Sequence, residues 1–337
     1  MITKRRGDIL NIVVSEYIST GLPVSSEAVA NRGMGVSPAT IRNEMVELEE
    51  EGYLTQPHTS AGRVPSDKGY RHYIDSMVGD IQLSLVEQRM IRHQFHQVEG
   101  VVEEWIRLAA AILSRMVRSV AVVTLPKPCE YRLKHLELIS LHEFLALLVL
   151  VLKEAKLKQQ VLTLDEAASQ EELSAAARRI NAACAGLSGS QISARHLDLY
   201  PLEELVLRTV VHIIQAEEGE AYEEPYIDGL RHILSQPEFA SSGRLVPIVE
   251  LFEQRSLLRS FLPQVLTGEG IKVIIGREHK QDAMRSCSMI MTKYGIPGEV
   301  GGAIGVVGPT RMQYSRAIPT VGFLSSVMSE MVEELYG

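Results

Sequence analysis

The segment SPATIRNEMVELEEEGYL, from Ser37 to Leu54, constrains the fold of this chain more than any other. It begins with a serine that can cap a helix and a proline that suits the first helical position. Ile41, Met45 and Leu48 lie on one stripe of a helical wheel at ~100° per residue, which predicts a helix packed along one face. A glycine then ends the helix, and β-favouring residues follow it.

Two helices are predicted before this helix and a hairpin is predicted after it. Apolar residues at helical spacing from Ile9 to Ile18, with Thr3 as N-cap and Gly21 as stop, predict a first helix. Ser25 can cap a short second helix that ends at Ala30. After the third helix, the polar, glycine-containing run PHTSAGRVP predicts a hairpin tip before the chain becomes helical again. Three helices and a hairpin indicate a winged helix-turn-helix.

The face of the third helix opposite its apolar stripe is a candidate DNA-contacting surface. In helix-turn-helix proteins the N-terminal residues of the recognition helix meet the base edges, while its C-terminal end moves away from the groove. The hairpin and the helix after it can add contacts to the DNA backbone. The predicted DNA-binding residues are Ser37, Ala39, Thr40, Arg42, Asn43, Val46, His58, Thr59, Arg63 and Lys68.

Several of these residues admit two interpretations. Arg42 and Asn43 can bind guanine and adenine respectively, and this is the favoured prediction. Alternatively, Arg42 pairs with a phosphate or with a glutamate of its own helix, and Asn43 only lines solvent. Arg63 could enter a minor groove, but a phosphate contact is favoured. His58 and Thr59 are either DNA contacts or turn-forming residues, with neither preferred.

Acidic residues crowd the far end of the same helix, where they oppose the approach of a polyanion. They are Glu44, Glu47, Glu49, Glu50 and Glu51. Residues 1–80 contain eight Lys or Arg against eleven Asp or Glu, a net charge of −3 that becomes +2 without these five acids. Because that end of the helix retreats from the groove, the acids are expected to be tolerated. The cations expected to be available to the DNA backbone are Lys4, Arg5, Arg6, Arg42, Arg63 and Lys68.

The overall composition excludes several classes of protein. A chain of 337 residues suggests two or three domains. The net charge of −8 argues against a protein that coats nucleic acid without selectivity. Three widely spaced cysteines give neither zinc spacing nor a disulfide framework, which favours the cytoplasm. The longest apolar run, Phe144–Leu152, is about half the ~20 residues that span a bilayer, so no membrane segment is expected.

The rest of the chain predicts an α+β organisation. Predicted strands lie at 119–126, 133–141, 144–152, 157–164, 271–276, 287–296 and 301–309. Predicted helices lie at 83–117 (one or two), 170–185, 202–215 and 245–262, and an amphipathic helix ends the chain. The Phe144–Leu152 run is interpreted as a buried central strand, with an exposed edge or a dimer interface as the alternative.

No motif supports a metal, a cofactor or catalysis. His142-Glu143 hints at a zinc helix, but Ala146 stands where a second histidine would be needed. The glycine-rich run 301–309 lacks the lysine of a phosphate loop, so close backbone packing is the better interpretation. Cys287 is expected to be buried rather than redox-active.

Polar residues after the last strand favour a structural role. Arg311, Tyr314 and Arg316 are predicted to fix a domain interface, and an effector-anion site is the less favoured alternative.

Two long segments resemble the heat-inducible transcription repressor HrcA family. They are ATIRNEMVELEEEGYLTQPHTSAGRVPSDKGYRHYID and GAIGVVGPTRMQYSRAIP. The resemblance implies a cytoplasmic, bacterial, homodimeric repressor of chaperone operons that binds a double-stranded inverted-repeat operator called CIRCE. It also implies that the GroE chaperonin promotes the active repressor.

The same resemblance implies a division into domains. Residues 1–80 would form the winged-helix DNA-binding domain, and 81–127 a connecting helix and the first part of a GAF-like α/β domain. Residues 128–220 would be an inserted α+β dimerisation domain, and 221–337 the remainder of the GAF-like domain. A small-molecule-controlled regulator is the alternative, and an enzyme with a DNA-binding appendage lacks any nucleophile–base or nucleotide motif.

Overall fold

The computed structural model describes residues 2–58, 61–77, 82–98, 101–153, 156–219, 225–234, 236 and 270–336. The chain forms two compact units with a mixed α and β content. Unit 1 comprises Met1–Pro126, Tyr222–Ile296 and Gly302–Gly337, and unit 2 comprises Lys127–Ala221 and Pro297–Gly301. The predicted helix at 245–262 lies outside the described residues. Within the described ranges, no helix combines the length and the apolar character that crossing a bilayer requires.

Unit 1 begins with three helices and a two-stranded hairpin, as the sequence predicts. The elements are α1 (Lys4–Thr20), α2 (Ser26–Ala30), α3 (Pro38–Glu50), β1 (Leu54–Thr55), β2 (Val64–Pro65) and α4 (Asp67–Met77). The predicted caps are confirmed, because the side chains of Thr3, Ser25 and Ser37 each accept a backbone N–H of the following helix. We call residues 2–77 the headpiece.

The remaining elements follow in chain order. They are α5 (Leu85–His96), α6 (Val102–Val117), β3 (Val120–Val123), β4 (Lys127–Pro128), β5 (Leu133–His142), β6 (Leu145–Leu152), β7 (Leu157–Thr163), α7 (Gln170–Cys184), α8 (Gly189–Ser193), α9 (Pro201–Gly219), β8 (Tyr226–Asp228), α10 (Leu230–Leu234), β9 (Lys272–Ile275), β10 (Cys287–Ile296), β11 (Val300–Pro309) and α11 (Tyr314–Tyr336). Strand β8 was not predicted, because three residues are too few to give a periodic pattern.

The sheet of unit 1 is antiparallel, with strand order β8-β3-β11-β10-β9. Its glycines pack as the sequence predicts. A Cβ at Gly302 would lie 2.5 Å from the Tyr294 ring, and one at Gly305 would lie 2.8 Å from the Cα of Met291. Cys287 is fully buried, and this burial raises the pKa of its thiol to about 12. The glycine-rich run is therefore a packing feature of the central strand.

Tyr314 connects the headpiece with the rest of unit 1, and a domain interface at Arg311–Arg316 stays a prediction because both sides of the contact belong to one compact unit. The buried Tyr314 ring lies 5.9 Å from the ring of Tyr70 in the headpiece, and its hydroxyl donates to the Thr310 carbonyl. Nearby, the Arg71 Nε donates to Glu278 at 3.0 Å and the Asp67 carboxylate accepts the backbone N–H of residue 277 at 2.9 Å. These contacts join α4 to the segment after β9.

Unit 2 contains a three-stranded antiparallel sheet, β5-β6-β7. Alternate residues of β6 are buried, and the others are partly exposed. Helices α7 and α9 belong to the core of the buried side. The Phe144–Leu152 run is therefore a central strand, as predicted, but the prediction that it is simply buried is wrong, because only one of its faces is fully covered.

Candidate nucleic-acid interface

The N-terminal end of α3 presents polar groups to solvent. Ser37 caps the helix, since its Oγ accepts the backbone N–H of Thr40 at 3.2 Å and lies 3.0 Å from the Thr40 hydroxyl. Proline occupies the first helical position, where no N–H is needed. The remaining N–H groups and the positive end of the helix dipole face outward, an arrangement that favours anions.

One side of α3 is anchored and the other is bare. Ile41, Met45 and Leu48 are at most 1% exposed, so the predicted apolar stripe is confirmed. On the opposite side, Arg42 and Asn43 are exposed, and neither side chain has a hydrogen-bond partner among the described residues. We call the following group the α3 surface, which the structure brings together: Ser37, Ala39, Thr40, Arg42, Asn43 and Val46.

The hairpin places its predicted contact residues differently. His58 is exposed at the tip, and its carbonyl accepts the N–H of Ala61 at 2.9 Å, which closes a turn. Thr59 lies outside the described residues. Arg63 is tied by two backbone hydrogen bonds to Val24, and its Nε donates to Glu49 at 2.9 Å. The Arg63 guanidinium therefore points towards the acidic end of α3 rather than away from the protein.

Lys68 lies at the same end of α3. Its ammonium donates to the carbonyl of Glu51 at 2.8 Å and lies 4.0 Å from the centroid of the Tyr53 ring. A cation at the last carbonyls of a helix satisfies an acceptor and offsets the negative end of the dipole. This exposed residue thus has a structural contact in the free protein, and its role in DNA binding stays a prediction.

The glutamates of α3 are mostly neutralised within the headpiece. Arg6 donates from Nε to Glu44 at 2.7 Å and from Nη1 to Glu51 at 3.0 Å, and its Nη2 binds Glu47. Arg5 donates from Nε to Glu44 at 2.9 Å. The hydrogen bond from Arg6 outweighs burial and lowers the pKa of Glu44, and the same bond raises the pKa of Arg6.

This network corrects one expectation. Arg5, Arg6 and Arg63 were expected to be available to DNA phosphates, but the structure binds each of them to a glutamate of α3. Among the described residues, Glu50 alone of the five acids makes no hydrogen bond or ion pair. The structure thus accommodates four of the five acids by pairing them within the headpiece.

Comparison with known proteins identifies the chain. The family described as HrcA protein C terminal domain matches residues 103–318. A heat-inducible transcription repressor HrcA from Dehalococcoides mccartyi is 44% identical over 100% of this chain and 98% of its own. The chain belongs to the HrcA family. A second HrcA, from Herpetosiphon aurantiacus, is 43% identical over 100% of this chain and 97% of its own.

One solved structure matches over nearly the whole length. It is titled a hypothetical protein, is 23% identical, covers 99% of each chain and has a TM-score of 0.63. This similarity concerns the fold alone. The curated HrcA relatives are named heat-inducible transcription repressors, a class of regulators rather than enzymes.

Two features of this HrcA chain were not found from its sequence. The ion pairs of Arg6 join residues 38 to 45 positions apart, and no local pattern signals such pairs. The junction of Arg71 with Glu278 spans 207 positions. By contrast, the α3 surface could be predicted from one helical wheel.

In the described part of the chain, no three histidine, cysteine or acidic side chains come together in a way that could hold a metal ion.

Proposed function

We propose that this protein is an operator-specific transcription repressor of chaperone operons that acts in the cytoplasm. It binds, as a homodimer, a double-stranded inverted repeat of the CIRCE type. The observation that carries this proposal is the α3 surface, where Arg42 and Asn43 are exposed and make no hydrogen bond among the described residues, while four of the five acids at the other end are paired. Membership of the HrcA family supports the same conclusion.

In this proposal the headpiece is a winged helix-turn-helix. Helix α3 enters the major groove, where Arg42 binds guanine and Asn43 binds adenine. Ser37 and Thr40, at the capped N-terminus, meet a phosphate. Ala39 and Val46 supply apolar contacts of the kind that thymine methyl groups accept.

The hairpin β1-β2 is the wing of this proposed domain. Its tip, with His58 and Thr59, lies over the DNA backbone. On the operator, where base contacts hold the headpiece in place, Arg63 leaves Glu49 and Lys68 leaves the Glu51 carbonyl, and both make secondary phosphate contacts. We therefore expect these two residues to matter less for affinity than Arg42 and Asn43.

Homodimerisation is proposed to use the bare face of the sheet in unit 2. Across the three strands, Ile139 is opposite Leu147, which is opposite Val161, and all three point away from the core. Ile139 is 45% exposed and Val161 54% exposed. A contiguous apolar face of this kind marks a protein interaction site. A two-fold dimer presents two headpieces, which matches an inverted repeat.

The domain organisation follows the same proposal. Residues 128–220 form an inserted dimerisation domain, and residues 81–127 and 221–337 form the two parts of a GAF-like domain. The GroE chaperonin is proposed to promote the active repressor, so that unfolded protein, by occupying the chaperonin, relieves repression. Family membership alone supports the chaperonin step.

Fluorescence anisotropy tests the proposal. A labelled CIRCE-type inverted repeat and a scrambled duplex are titrated with the protein at two salt concentrations, with and without chaperonin. We expect preferential binding of the repeat, strengthened by chaperonin. Arg42→Ala or Asn43→Ala should weaken operator binding by about 1–3 kcal/mol per lost base contact. Equal, weak binding to both duplexes that disappears at the higher salt would refute the proposal and favour a ligand-controlled regulator.

A further inference from the structure

We propose that the glutamates of α3 set DNA specificity by masking Arg6 and Arg63, two cations that would otherwise bind the phosphates of any duplex. This inference rests on the proposed function, since it concerns how the same headpiece discriminates between operator and other DNA. It assigns a role to the acids that is separate from base contact.

The surroundings of Arg6 carry the first step. All three nitrogens of its guanidinium donate to carboxylates, one each from Glu44, Glu47 and Glu51. These acids lie on successive turns along one face of α3 and its C-cap, so a carboxylate accepts from each of the three nitrogens of Arg6. The Arg6 side chain remains 21% exposed, and those of Glu47 and Glu51 are 51% and 39% exposed. The pairing therefore takes place at the surface, where DNA could compete for it.

Arg63 is masked separately. Its Nε donates to Oε2 of Glu49 at 2.9 Å, its Nη2 lies 2.8 Å from the same oxygen as an ion pair, and its side chain is 12% exposed. Two backbone hydrogen bonds hold the same residue against Val24. Val24 thus holds the backbone of Arg63, and Glu49 holds its guanidinium.

The electrostatic consequence is a loss of sequence-independent binding. Affinity for any duplex depends on the number of phosphates that cations neutralise, and each contact steepens the salt dependence by about 0.9. At the acidic end, three arginines face four carboxylates, so this region presents no excess positive charge. On the α3 surface, Arg42 stays free to bind a base edge. Masking thus lowers binding to all DNA while leaving base contact intact.

A purely stabilising role would not have this effect. Ion pairs at the surface contribute little to folding, and the pairs of Glu47 and Glu51 are of this kind, because both carboxylates are well exposed. Their removal should leave the headpiece folded, which allows the DNA effect to be measured.

The test compares two double variants of equal charge. Glu47→Gln/Glu51→Gln releases Arg6 from two carboxylates. Asp8→Asn/Glu50→Gln also removes two negative charges from the headpiece, but neither Asp8 nor Glu50 has a partner among the described residues. Dissociation constants for operator and scrambled duplexes are measured by anisotropy over a series of salt concentrations, with circular dichroism to verify folding.

Masking predicts a clear difference between these variants. Glu47→Gln/Glu51→Gln should bind the scrambled duplex about tenfold more tightly at low salt, with a salt slope steeper by about one, and its operator preference should fall. The control variant Asp8→Asn/Glu50→Gln should change the dissociation constants for both duplexes by the same factor, which should be less than about threefold. Equal effects of the two double variants would overturn the proposal, because net charge alone would then explain them.

Arg6 itself supplies the decisive control. Adding Arg6→Ala to Glu47→Gln/Glu51→Gln should return scrambled-duplex binding to the wild-type level. Arg6→Ala alone should change that binding by less than about threefold, as a change of net charge does, and a larger loss would mean that Arg6 already contacts phosphate in the wild type. Glu49→Gln, which releases Arg63, tests the idea independently if the double variant fails to fold. If the wild type binds operator and scrambled duplexes equally, the proposed function is refuted. Masking is still tested in that case, because its test compares variants on the scrambled duplex alone.

Discussion

The two sheets of this protein are built from sequence runs that look alike but are buried differently. In unit 1, GGAIGVVGP forms β11, which is buried along almost its whole length. In unit 2, LALLVLVL forms β6, which is buried on one face and partly exposed on the other. An apolar run thus predicts a strand hidden from water, but it does not say whether the covering atoms come from the same chain.

The physical origin of the difference lies in what each sheet packs against. Glycines in β11 let neighbouring side chains and backbone approach its strand closely, as Tyr294 does at Gly302. In β6 every second residue is a leucine or alanine directed into the core of unit 2. The intervening Leu147 and Val149 have side chains of similar size but keep part of their surface exposed. This half-covered pattern is the one that the proposed dimer interface of unit 2 requires.

The largest effect is expected from a charge placed on the buried face of β6. Leu148→Asp places a carboxylate where the side chain is fully buried, which should destabilise unit 2 by about 4 kcal/mol or more. The readout is thiol labelling without denaturant. Cys184 and Cys287 are both fully buried, and burial raises the pKa of both thiols. We expect Cys184 to become reactive while Cys287 stays protected, and simultaneous labelling would mean that the units unfold together.

The adjacent residue provides the sharpest contrast. Val149→Asp changes the bare face of the same strand, so unit 2 should stay folded by circular dichroism. Self-association should weaken about 100-fold, because a charge would replace an apolar contact worth two to three kcal/mol. Sedimentation equilibrium measures this. Gln160→Asp, an exposed position whose side chain points to the opposite face of the sheet, is the matched control and should associate normally.

A smaller effect is expected in the sheet of unit 1. Gly305→Ala adds a methyl group that would lie 2.8 Å from the Cα of Met291, so the strands must shift, at a cost of about 2 kcal/mol. Urea denaturation measures this loss. Gly7→Ala serves as control, because the nearest atom is 3.5 Å away and alanine favours the helix. An unchanged midpoint for Gly305→Ala would show that β11 is packed more loosely than described.

The smallest expected effect is a loss of stability of unit 2 at acidic pH. Burial alone would raise the pKa of Glu217, but Lys156 and Lys158 bind this carboxylate and hold its pKa below the usual 4.5. Its contribution to stability is therefore complete above about pH 4.5 and is lost as the pH falls through the lowered value. We expect about 1 kcal/mol. Glu217→Gln should flatten this part of the pH dependence of stability, measured as the urea midpoint between about pH 3 and pH 6, and an unaltered profile would contradict the assignment.

Much of the local structure could be predicted from the sequence. Thr3, Ser25 and Ser37 signal helix starts because a cap is a local hydrogen bond, and the α3 stripe follows from helical geometry. Long-range pairing could not be predicted, because nothing in a single sequence links Arg6 to α3 or Arg71 to Glu278. A count of lysines and arginines therefore overestimated the cations available to DNA.

The order of strands in the sheet of unit 1 has a consequence for synthesis of the chain. Strand β3 pairs with β8 and β11, which are made much later, and unit 2 is made between them. The headpiece helices and the β5-β6-β7 meander form from nearby residues and can fold early on the ribosome. The sheet of unit 1 closes only after β11 has emerged. A nascent chain therefore carries a complete headpiece before the sheet that anchors it exists.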